Sequence, residues 1–228
     1  MFKHSINNSL TSAGAVSPQP FSGSPTILFS TSLALYPFGH YNLTIVQQAS
    51  IDLQPVLKNS LVTATPLRET DFEELFRAAS DPLIWEQHPN KNRWQRPAFE
   101  NYFTGAMKSG GAFLVRDTQT NEVIGSSRYS DHYPETNTVS IGYTFFIRSH
   151  WGKGHNYALK QLMLGHIFSY VDTVKFYIGA VNKRSQVSIE RFGAVKVGEE
   201  ETAYYGEPAI LDYVYAITRE QWQQLQQA

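Results

Sequence analysis

Cysteine is absent from this sequence of 228 residues. Without thiols, the chain has no disulfide framework, no thiolate zinc site, no iron–sulfur cluster and no Cys-based covalent catalysis. An excess of charge of one sign is also lacking, because 19 Lys and Arg residues stand against 20 Asp and Glu residues. A net charge of −1 argues against a protein that mainly neutralises nucleic-acid phosphates. We therefore expect a soluble, cytoplasmic globular protein with no nucleic-acid partner.

Charged residues are almost missing from the N-terminal segment. Lys3 is the only Lys, Arg, Asp or Glu before Asp52, and the segment is rich in Ser, Thr, Asn, Pro and Gly. Its apolar patch at residues 27–36 is too short and interrupted to span a bilayer, and its basic flank lies too far upstream for a signal peptide. We expect residues 1–51 to be a low-charge tail, disordered or appended, with an atypical export signal as the alternative. We expect residues 56–226 to be the folded domain, and no membrane partner.

Strand and helix signals alternate from Val56 onward. A short strand at residues 56–57, a turn and a strand at residues 61–67 precede a helix that a Thr70–Glu73 capping box opens. Asp81-Pro82 starts another short helical turn, and a further helix begins at Pro97 and stops at residues 110–111. Three strands follow, at residues 112–116, 123–129 and 138–147. The pattern predicts one domain that mixes helices and strands.

The strand at residues 138–147 ends in an irregular way. Apolar and polar residues alternate up to three consecutive apolar residues, Phe145, Phe146 and Ile147, where a bulge or a strand that splays away is expected. The turn Gly152-Lys153-Gly154 then leads into a helix. A strand that delivers a Gly-x-Gly turn to a helix N-terminus collects free backbone N–H groups that bind phosphate. The alternative is a tight turn that uses glycine only for its backbone angles.

Several other sites are excluded by inspection. The chain has no G-x-x-x-x-G-K-[ST] motif, and the Gly-x-Gly turn lacks the third glycine and the distal acidic residue of a dinucleotide fold. The anion is therefore not expected to be a nucleoside triphosphate or NAD. The seven His residues are scattered and show no H-x-x-x-H spacing with a third ligand, so we expect no metal.

Two motifs carry a family resemblance. The segment Trp151-Gly152-Lys153-Gly154-His155-Asn156 resembles the pyrophosphate-binding loop of the GCN5-related N-acetyltransferases (GNAT superfamily). Together with Gly142-Tyr143 on the preceding strand, it is similar to the ribosomal-protein N-terminal acetyltransferase (RimJ/RimL-like) subgroup. The run Asn182-Lys183-Arg184-Ser185, followed by Gly193, resembles a second motif of the same family at the right distance. The resemblance covers about residues 61–222.

The resemblance implies a fold and a cofactor site. The fold is α/β (α+β): a single domain with a mixed, mostly antiparallel sheet of six to seven strands, splayed in the middle and flanked by about four helices. Acetyl-CoA would enter the gap between residues 138–147 and 174–181, and the backbone of Phe145, Phe146 and Ile147 would pair with its pantetheine arm. The cofactor-binding loop would consist of Trp151, Gly152, Lys153, Gly154, His155 and Asn156, with the pyrophosphate on its N–H groups and added charge from Lys153 and His155.

The resemblance also implies a reaction. An acetyl-CoA-dependent N-acetyltransferase moves acetyl directly to a primary amine, of a protein N-terminus or a small molecule, in a ternary complex. The N–H of Phe145 or Phe146 would stabilise the oxyanion, and Ser185 would donate to the leaving thiolate. Alternatively, Ser185 caps the helix at residues 186–192. Asn182 would bond the cofactor arm or the acceptor, or else satisfy local backbone at a helix entry.

The general base is open at this stage. Many relatives carry Glu where this chain has Ser140. The remaining candidates are two loop pairs, Glu86 with His88 and Asp131 with His132, or a water chain. The loop from Trp85 to Trp94 is rich in aromatic residues, which either wall the acceptor site or belong to the core.

An alternative to the enzyme is a CoA-binding or sensing module of the same fold with little turnover. Departures from the family pattern at Asn156, Ile189 and Ser140 motivate this alternative. A purely structural interaction domain would require both motifs to be coincidental. We expect a monomer or homodimer.

Overall fold

The computed structural model of the protein describes residues 50–227, so nearly all of the expected tail lies outside the described residues. Within this range the chain forms eight strands: β1 (Leu57–Lys58), β2 (Val62–Pro66), β3 (Ala112–Asp117), β4 (Val123–Tyr133), β5 (Thr138–Phe146), β6 (Thr173–Gly179), β7 (Val195–Ala203) and β8 (Ala209–Thr218). It also forms five α-helices: α1 (Phe72–Ala79), α2 (Arg96–Ser109), α3 (His155–Ile167), α4 (Lys183–Glu190) and α5 (Arg219–Gln227).

All eight strands form one sheet, in the order β1-β2-β3-β4-β5-β6-β8-β7. Neighbours are antiparallel except β5 and β6, which are parallel and pair over only three positions, from Thr138↔Thr173 to Ser140↔Lys175. Beyond Ser140 the two strands part. The expected fold class and the splayed mixed sheet are confirmed, with one more strand and one more helix than expected.

Apolar side chains cover both faces of the sheet. On one face, α3 buries Leu159 and Met163 in a core cluster that also contains Trp222 of α5. On the other face, α1 and α2 bury Leu75 and Phe99 in a second cluster. The helices thus hold the sheet between them.

The start of α1 differs from the sequence prediction. The Thr70–Glu73 capping box is wrong, because α1 begins at Phe72, after a 3-10 turn. The Asp71 carboxylate accepts the N–H of Arg68 at 2.8 Å. Glu73 instead pairs with Arg96 of α2, with an N–O distance of 2.7 Å. Glu73 therefore forms an ion pair with a residue distant in sequence, in place of the local contact with Thr70.

The folded unit extends upstream of Val56. Ile51 and Leu53 pack against the first core cluster, the Gln54 side-chain amide donates to the Ala112 carbonyl at 3.1 Å, and His166 donates to the Asp52 carbonyl at 2.8 Å. These contacts attach the segment before β1 to the domain. No helix in the described part of the chain is long and apolar enough to cross a membrane.

Candidate active site

A cleft of about 1130 Å³ opens where β5 and β6 part. One wall is β5 from Ser140 to Phe146, and the facing wall is β6 from Phe176 to Gly179. The Gly-rich loop and the first turns of α3 and α4 line one part of the cleft, and β7 lines another. Within residues 50–227 no strand pairs with β5 on this side beyond Ser140. An extended ligand therefore finds an unpaired strand edge there.

The irregularity of β5 is a bulge at Tyr143 and Thr144. Gly142 lies opposite Arg128 of β4, but Phe145 lies opposite Ser126, so β5 carries one extra residue. Tyr143 has a positive φ of 54°, and its carbonyl accepts the Tyr102 hydroxyl at 2.9 Å. The expected bulge exists, but two residues earlier than the apolar run indicates, and pairing with β4 continues to Phe146.

The loop after β5 has the geometry of an anion site. Gly152 and Gly154 both have positive φ, 69° and 86°, and Gly154 is the N-cap of α3. The N–H groups of the first turn of α3 have no acceptor within the helix, and the positive end of the helix dipole lies there. The Trp151 indole donates to the Phe146 carbonyl at 2.8 Å, which fixes the loop against β5. Gly152, Gly154 and Asn156 line the cleft, as expected.

Three of the expected cofactor residues are not among those that line the cleft. Both backbone groups of Ile147 are used, because its N–H donates to the Ile124 carbonyl at 2.8 Å and its carbonyl accepts the His150 N–H at 3.0 Å. The prediction that Ile147 pairs with a ligand is therefore wrong. Lys153 is exposed outside the cleft lining. The His155 side chain is buried, with Nε2 3.0 Å from Asp117, so only its backbone faces the loop.

The first turn of α4 separates the two alternatives for Ser185. Asn182 is the N-cap, because its Oδ1 accepts the Ser185 N–H at 3.2 Å. The alternative that Ser185 caps this helix is wrong. Ser185 lies in the first turn of α4 and lines the cleft. Asn182 also lines the cleft. Its side-chain oxygen, however, accepts a backbone N–H of its own helix, as expected if Asn182 satisfies the local backbone at a helix entry.

Basic side chains line the cleft on the side of α4. Lys183, Arg184 and Arg191 line the cleft on α4 and just after it, and the Arg184 guanidinium lies 4.1 Å from the centre of the Trp151 ring. These charges suit the phosphates of an anionic cofactor.

The sequence analysis missed Lys160, which lines the cleft from α3. Its Nζ donates to Thr144 at 2.7 Å and to Ser127 at 3.1 Å. Burial lowers the pKa of Lys160 to about 7, since desolvation disfavours the ammonium form. The only signal in the sequence is a Lys that directly follows two apolar residues, Ala158 and Leu159, on a helix with one buried side.

The face of the sheet that α1 and α2 cover gives the cleft an acidic, aromatic pocket. Tyr143, Tyr177 and Tyr204 line it together with Asp131 and Glu200. The guanidinium of Arg93, which also lines the cleft near Tyr204, is paired with Glu207. Burial raises the pKa of Tyr177 to about 12, and the nearby charges of Glu200 and Asp131 add to the rise. The expected candidate Asp131 is thus in the pocket, at a positive φ of 50°, where its carboxylate accepts from Ser130 at 2.9 Å. His132 is not among the lining residues.

A buried carboxylate lies behind this pocket. Asp212 of β8 is fully buried, and its Oδ2 accepts the Tyr204 hydroxyl at 2.6 Å. Its Oδ1 has no hydrogen-bond partner among the described residues. Burial raises the pKa of Asp212 above its ordinary value, and burial followed by the Asp212 hydrogen bond raises the pKa of Tyr204. Sequence reasoning missed this pair because the partners are joined only through the β7–β8 hairpin.

The Trp85–Trp94 loop is tied to the same hairpin. Buried Arg93 pairs with Glu207, with an N–O distance of 2.8 Å, and donates to His88 Nε2 at 3.0 Å. Burial, reinforced by the Arg93 charge, holds the pKa of His88 well below its usual range. His88 is thus neutral with its Nε2 lone pair occupied, so it is a poor general base.

The other residues predicted in this loop differ in whether they line the cleft. Trp85 is both core and cleft wall, with its ring 5.1 Å from that of Phe145. Trp94 is exposed and does not line the cleft, so the prediction of a wall fails there. Glu86 is also exposed and outside the lining, 3.5 Å from Arg184. The structure therefore offers no support for Glu86 as the general base, since its carboxylate pairs with Arg184 and does not line the cleft.

A splayed sheet with a glycine loop at the opening of the cleft is the arrangement that the family resemblance implies. The family model "Acetyltransferase (GNAT) domain" matches residues 62–195. The chain belongs to the GNAT acetyltransferase family.

Solved structures share the fold. A GCN5-related N-acetyltransferase from Brucella melitensis is 18% identical, with a TM-score of 0.67 over 76% of this chain and 83% of that one. RimJ from Mycobacterium smegmatis, in complex with CoA-disulfide, is 17% identical, with a TM-score of 0.56 over 70% of this chain and 83% of that one. A spermidine N-acetyltransferase SpeG chimera from Vibrio cholerae and hSSAT is 16% identical, with a TM-score of 0.56 over 72% and 99%. No curated protein sequence matches the chain significantly.

Proposed function

We propose that the protein transfers acetyl from acetyl-CoA to a primary amine on a cationic acceptor, within a ternary complex. One observation carries the proposal: a single cleft joins a basic, glycine-lined end to an acidic, aromatic pocket. Opposite charges at the two ends suit a phosphate-bearing donor and an ammonium-bearing acceptor. Such a donor also agrees with the cytoplasmic location expected from the sequence.

The donor would bind along β5. The pyrophosphate would accept from the N–H groups of residues 152–156, with the Arg184 guanidinium beside Trp151 at the start of this loop. The pantetheine arm would pair with the unpaired edge between Gly142 and Phe145, since Ile147 has no free backbone group. The N–H of Phe145 or Phe146 would face the developing oxyanion, as the family resemblance implies.

The acceptor would bind between the tyrosines of the acidic pocket. Asp131 and Glu200 would attract its positive charge. Before attack, the ammonium form of the acceptor would give one proton to the Tyr204 oxygen while the phenolic proton moves to Asp212. The neutral amine would then bond the thioester carbon as the C–S bond breaks, and a second amine proton would pass to the departing thiolate beside Ser185. Asp212 would thus hold the proton, and Tyr204 would be the residue that touches the acceptor.

The acceptor class follows from the same charges. A polyamine or a protein N-terminus with basic neighbours fits this pocket better than an acidic amine. The similarity to a spermidine N-acetyltransferase and to RimJ is a likeness of fold, and it makes these two substrate classes the first to try.

A panel of amines tests this acceptor class. We expect kcat/KM for spermidine and for peptides with basic N-termini to exceed that for acidic amines by about tenfold or more, since like charges in a cleft cost at least 1.4 kcal/mol, a factor of ten. Release of free thiol from acetyl-CoA gives the rates. Glu200→Gln should reduce the preference, while Glu199→Gln, on the same strand outside the cleft lining, should leave it. A preference for acidic amines would overturn the acceptor class.

Ser185→Ala separates catalysis from helix capping. We expect kcat to fall about 10- to 100-fold, the worth of one hydrogen bond to a charged leaving group. Thermal unfolding should not change, because Asn182 is the cap. The matched variant Asn182→Ala should instead lower stability by about 1 kcal/mol. An unchanged kcat in Ser185→Ala would remove the leaving-group role.

A further inference from the structure

Three side chains meet beneath the glycine loop. Asp117 lies at the end of β3, His150 in the turn before the loop and His155 at the start of α3. One ligand atom from each, a carboxylate oxygen or an imidazole nitrogen, lies within 4.8 Å of the others. The loop from Trp151 to Gly154 is flanked by the two histidines.

The carboxylate is held in a fixed orientation. Asp117 Oδ1 accepts the N–H groups of Gln119 at 2.8 Å and Thr120 at 2.9 Å. These bonds leave Oδ2 to face the imidazoles, with Nε2 of His155 at 3.0 Å and Nε2 of His150 at 3.5 Å. Two ring nitrogens therefore converge on one oxygen.

A structural hydrogen bond explains only part of this arrangement. One imidazole suffices to satisfy Oδ2, yet a second one faces it. His150 Nδ1 lies 3.0 Å from Ser149 Oγ, an outer hydrogen bond of the kind that orients a metal-bound imidazole.

We infer that Asp117, His150 and His155 form a binding site for a divalent transition-metal ion of the zinc type. Two imidazoles and one carboxylate are donors that Zn²⁺ accepts at about 2.0–2.2 Å, and a tetrahedral site places its donors about 3.4 Å apart. The observed 3.0 and 3.5 Å separations bracket that spacing. His150 lines the cleft, so the fourth position is open to water on that side. This inference replaces the expectation of no metal.

The site has a consequence for the loop. The ion would join both ends of the loop to β3, so metal binding should order the groups that face the pyrophosphate. If the proposed CoA site is correct, metal and CoA should each raise the affinity of the other by the same factor. Metal binding alone does not depend on that proposal.

Cobalt and zinc titrations of the full chain test the site. We expect one equivalent of Co²⁺ to give a visible d–d spectrum and Zn²⁺ to displace it in competition with a chromophoric chelator. Asp117→Asn keeps an oxygen for the Gln119 and Thr120 bonds while removing the anionic ligand, and His155→Ala removes a second ligand. Each should weaken the affinity at least about tenfold. His132→Ala, away from the cluster, should have no effect.

The outcomes are distinct. Absence of one-to-one binding by the wild-type chain would overturn the site. Binding that survives in both Asp117→Asn and His155→Ala would also overturn it, and would assign the ion to other histidines, such as His4 or His40. Metal binding in a chain that does not bind CoA would leave the site standing while contradicting the proposed function.

Discussion

Gly154→Asp is expected to weaken CoA binding at least about 100-fold. Gly154 caps α3 with a φ of 86°, and an L-residue in that conformation costs about 1 kcal/mol or more. The new carboxylate would also face the pyrophosphate, and two like charges 4 Å apart near a surface repel by up to about 4 kcal/mol. A loss of about 2.7 kcal/mol corresponds to the expected factor. Isothermal titration calorimetry with CoA measures it.

Gly110→Asp is the matched control. Gly110 also has a positive φ, 62°, and its added Cβ would meet nothing within 4 Å, but it ends α2 outside the cleft lining. Gly110→Asp adds the same kind of backbone strain and the same charge, but outside the proposed phosphate site. Its CoA affinity should therefore equal that of the wild type. Gly154→Ala, which adds strain alone, should fall between them. An unchanged affinity in Gly154→Asp would contradict the phosphate loop.

Asp212→Asn is expected to lower kcat by about 100-fold or more. General-base catalysis contributes about 10²- to 10⁴-fold, and Asn retains an acceptor for the Tyr204 hydroxyl but cannot hold the proton. Initial rates with a saturating amine measure the loss. Tyr204→Phe should show a similar loss, since it removes the group that passes the proton on. Full activity in both variants would remove the relay.

The effect of Asp212 on the pH dependence of stability has a defined sign. Burial raises the pKa of Asp212 in the folded protein, so the native state holds its proton more tightly than the unfolded chain does. The free energy of unfolding therefore falls as the pH rises from the pKa that Asp212 has in the unfolded chain to the higher pKa that it has in the folded protein. Above the folded pKa the loss of stability is complete. At neutral pH, Asp212→Asn should be at least as stable as wild type in thermal unfolding.

The activity of the wild type should depend on pH in the opposite sense to its stability. The relay needs ionised Asp212, so kcat/KM of the wild type should decline as pH falls through the raised pKa of Asp212. In Asp212→Asn this acid limb should be absent. A stability gain with a loss of activity is the signature of a buried group retained for function; a loss of both would indicate a structural role.

Local sequence motifs accounted for the framework of the site. Gly152 and Gly154 indicated the glycine turn before α3 because positive φ and a helix start are set within a few residues. The run beginning at Asn182 indicated the fourth helix for the same reason. The failed alternation at Phe145 indicated an irregular strand, although the register with β4 moved the bulge to Tyr143.

The remaining features of the site depend on contacts between residues that are distant in sequence. Whether Ile147 has a free backbone group depends on Ile124, and the position of His155 depends on Asp117. Lys160 looks unremarkable until α3 buries it beside Thr144. Asp212 meets Tyr204 only because β7 and β8 form a hairpin. Such contacts have no counterpart in residue spacing, so the proton acceptor and the metal ligands could not be identified from it.

Transfer itself is the most direct test of the central claim. The full chain would be mixed with acetyl-CoA and spermidine or a basic peptide, and the products followed by free-thiol assay and mass spectrometry. We predict one acetyl group on the acceptor for each CoA released, a rate that depends on both substrates, and no acetyl group on the protein. Tight CoA binding without transfer to any amine of the panel would contradict the account and would make the protein a CoA-binding module.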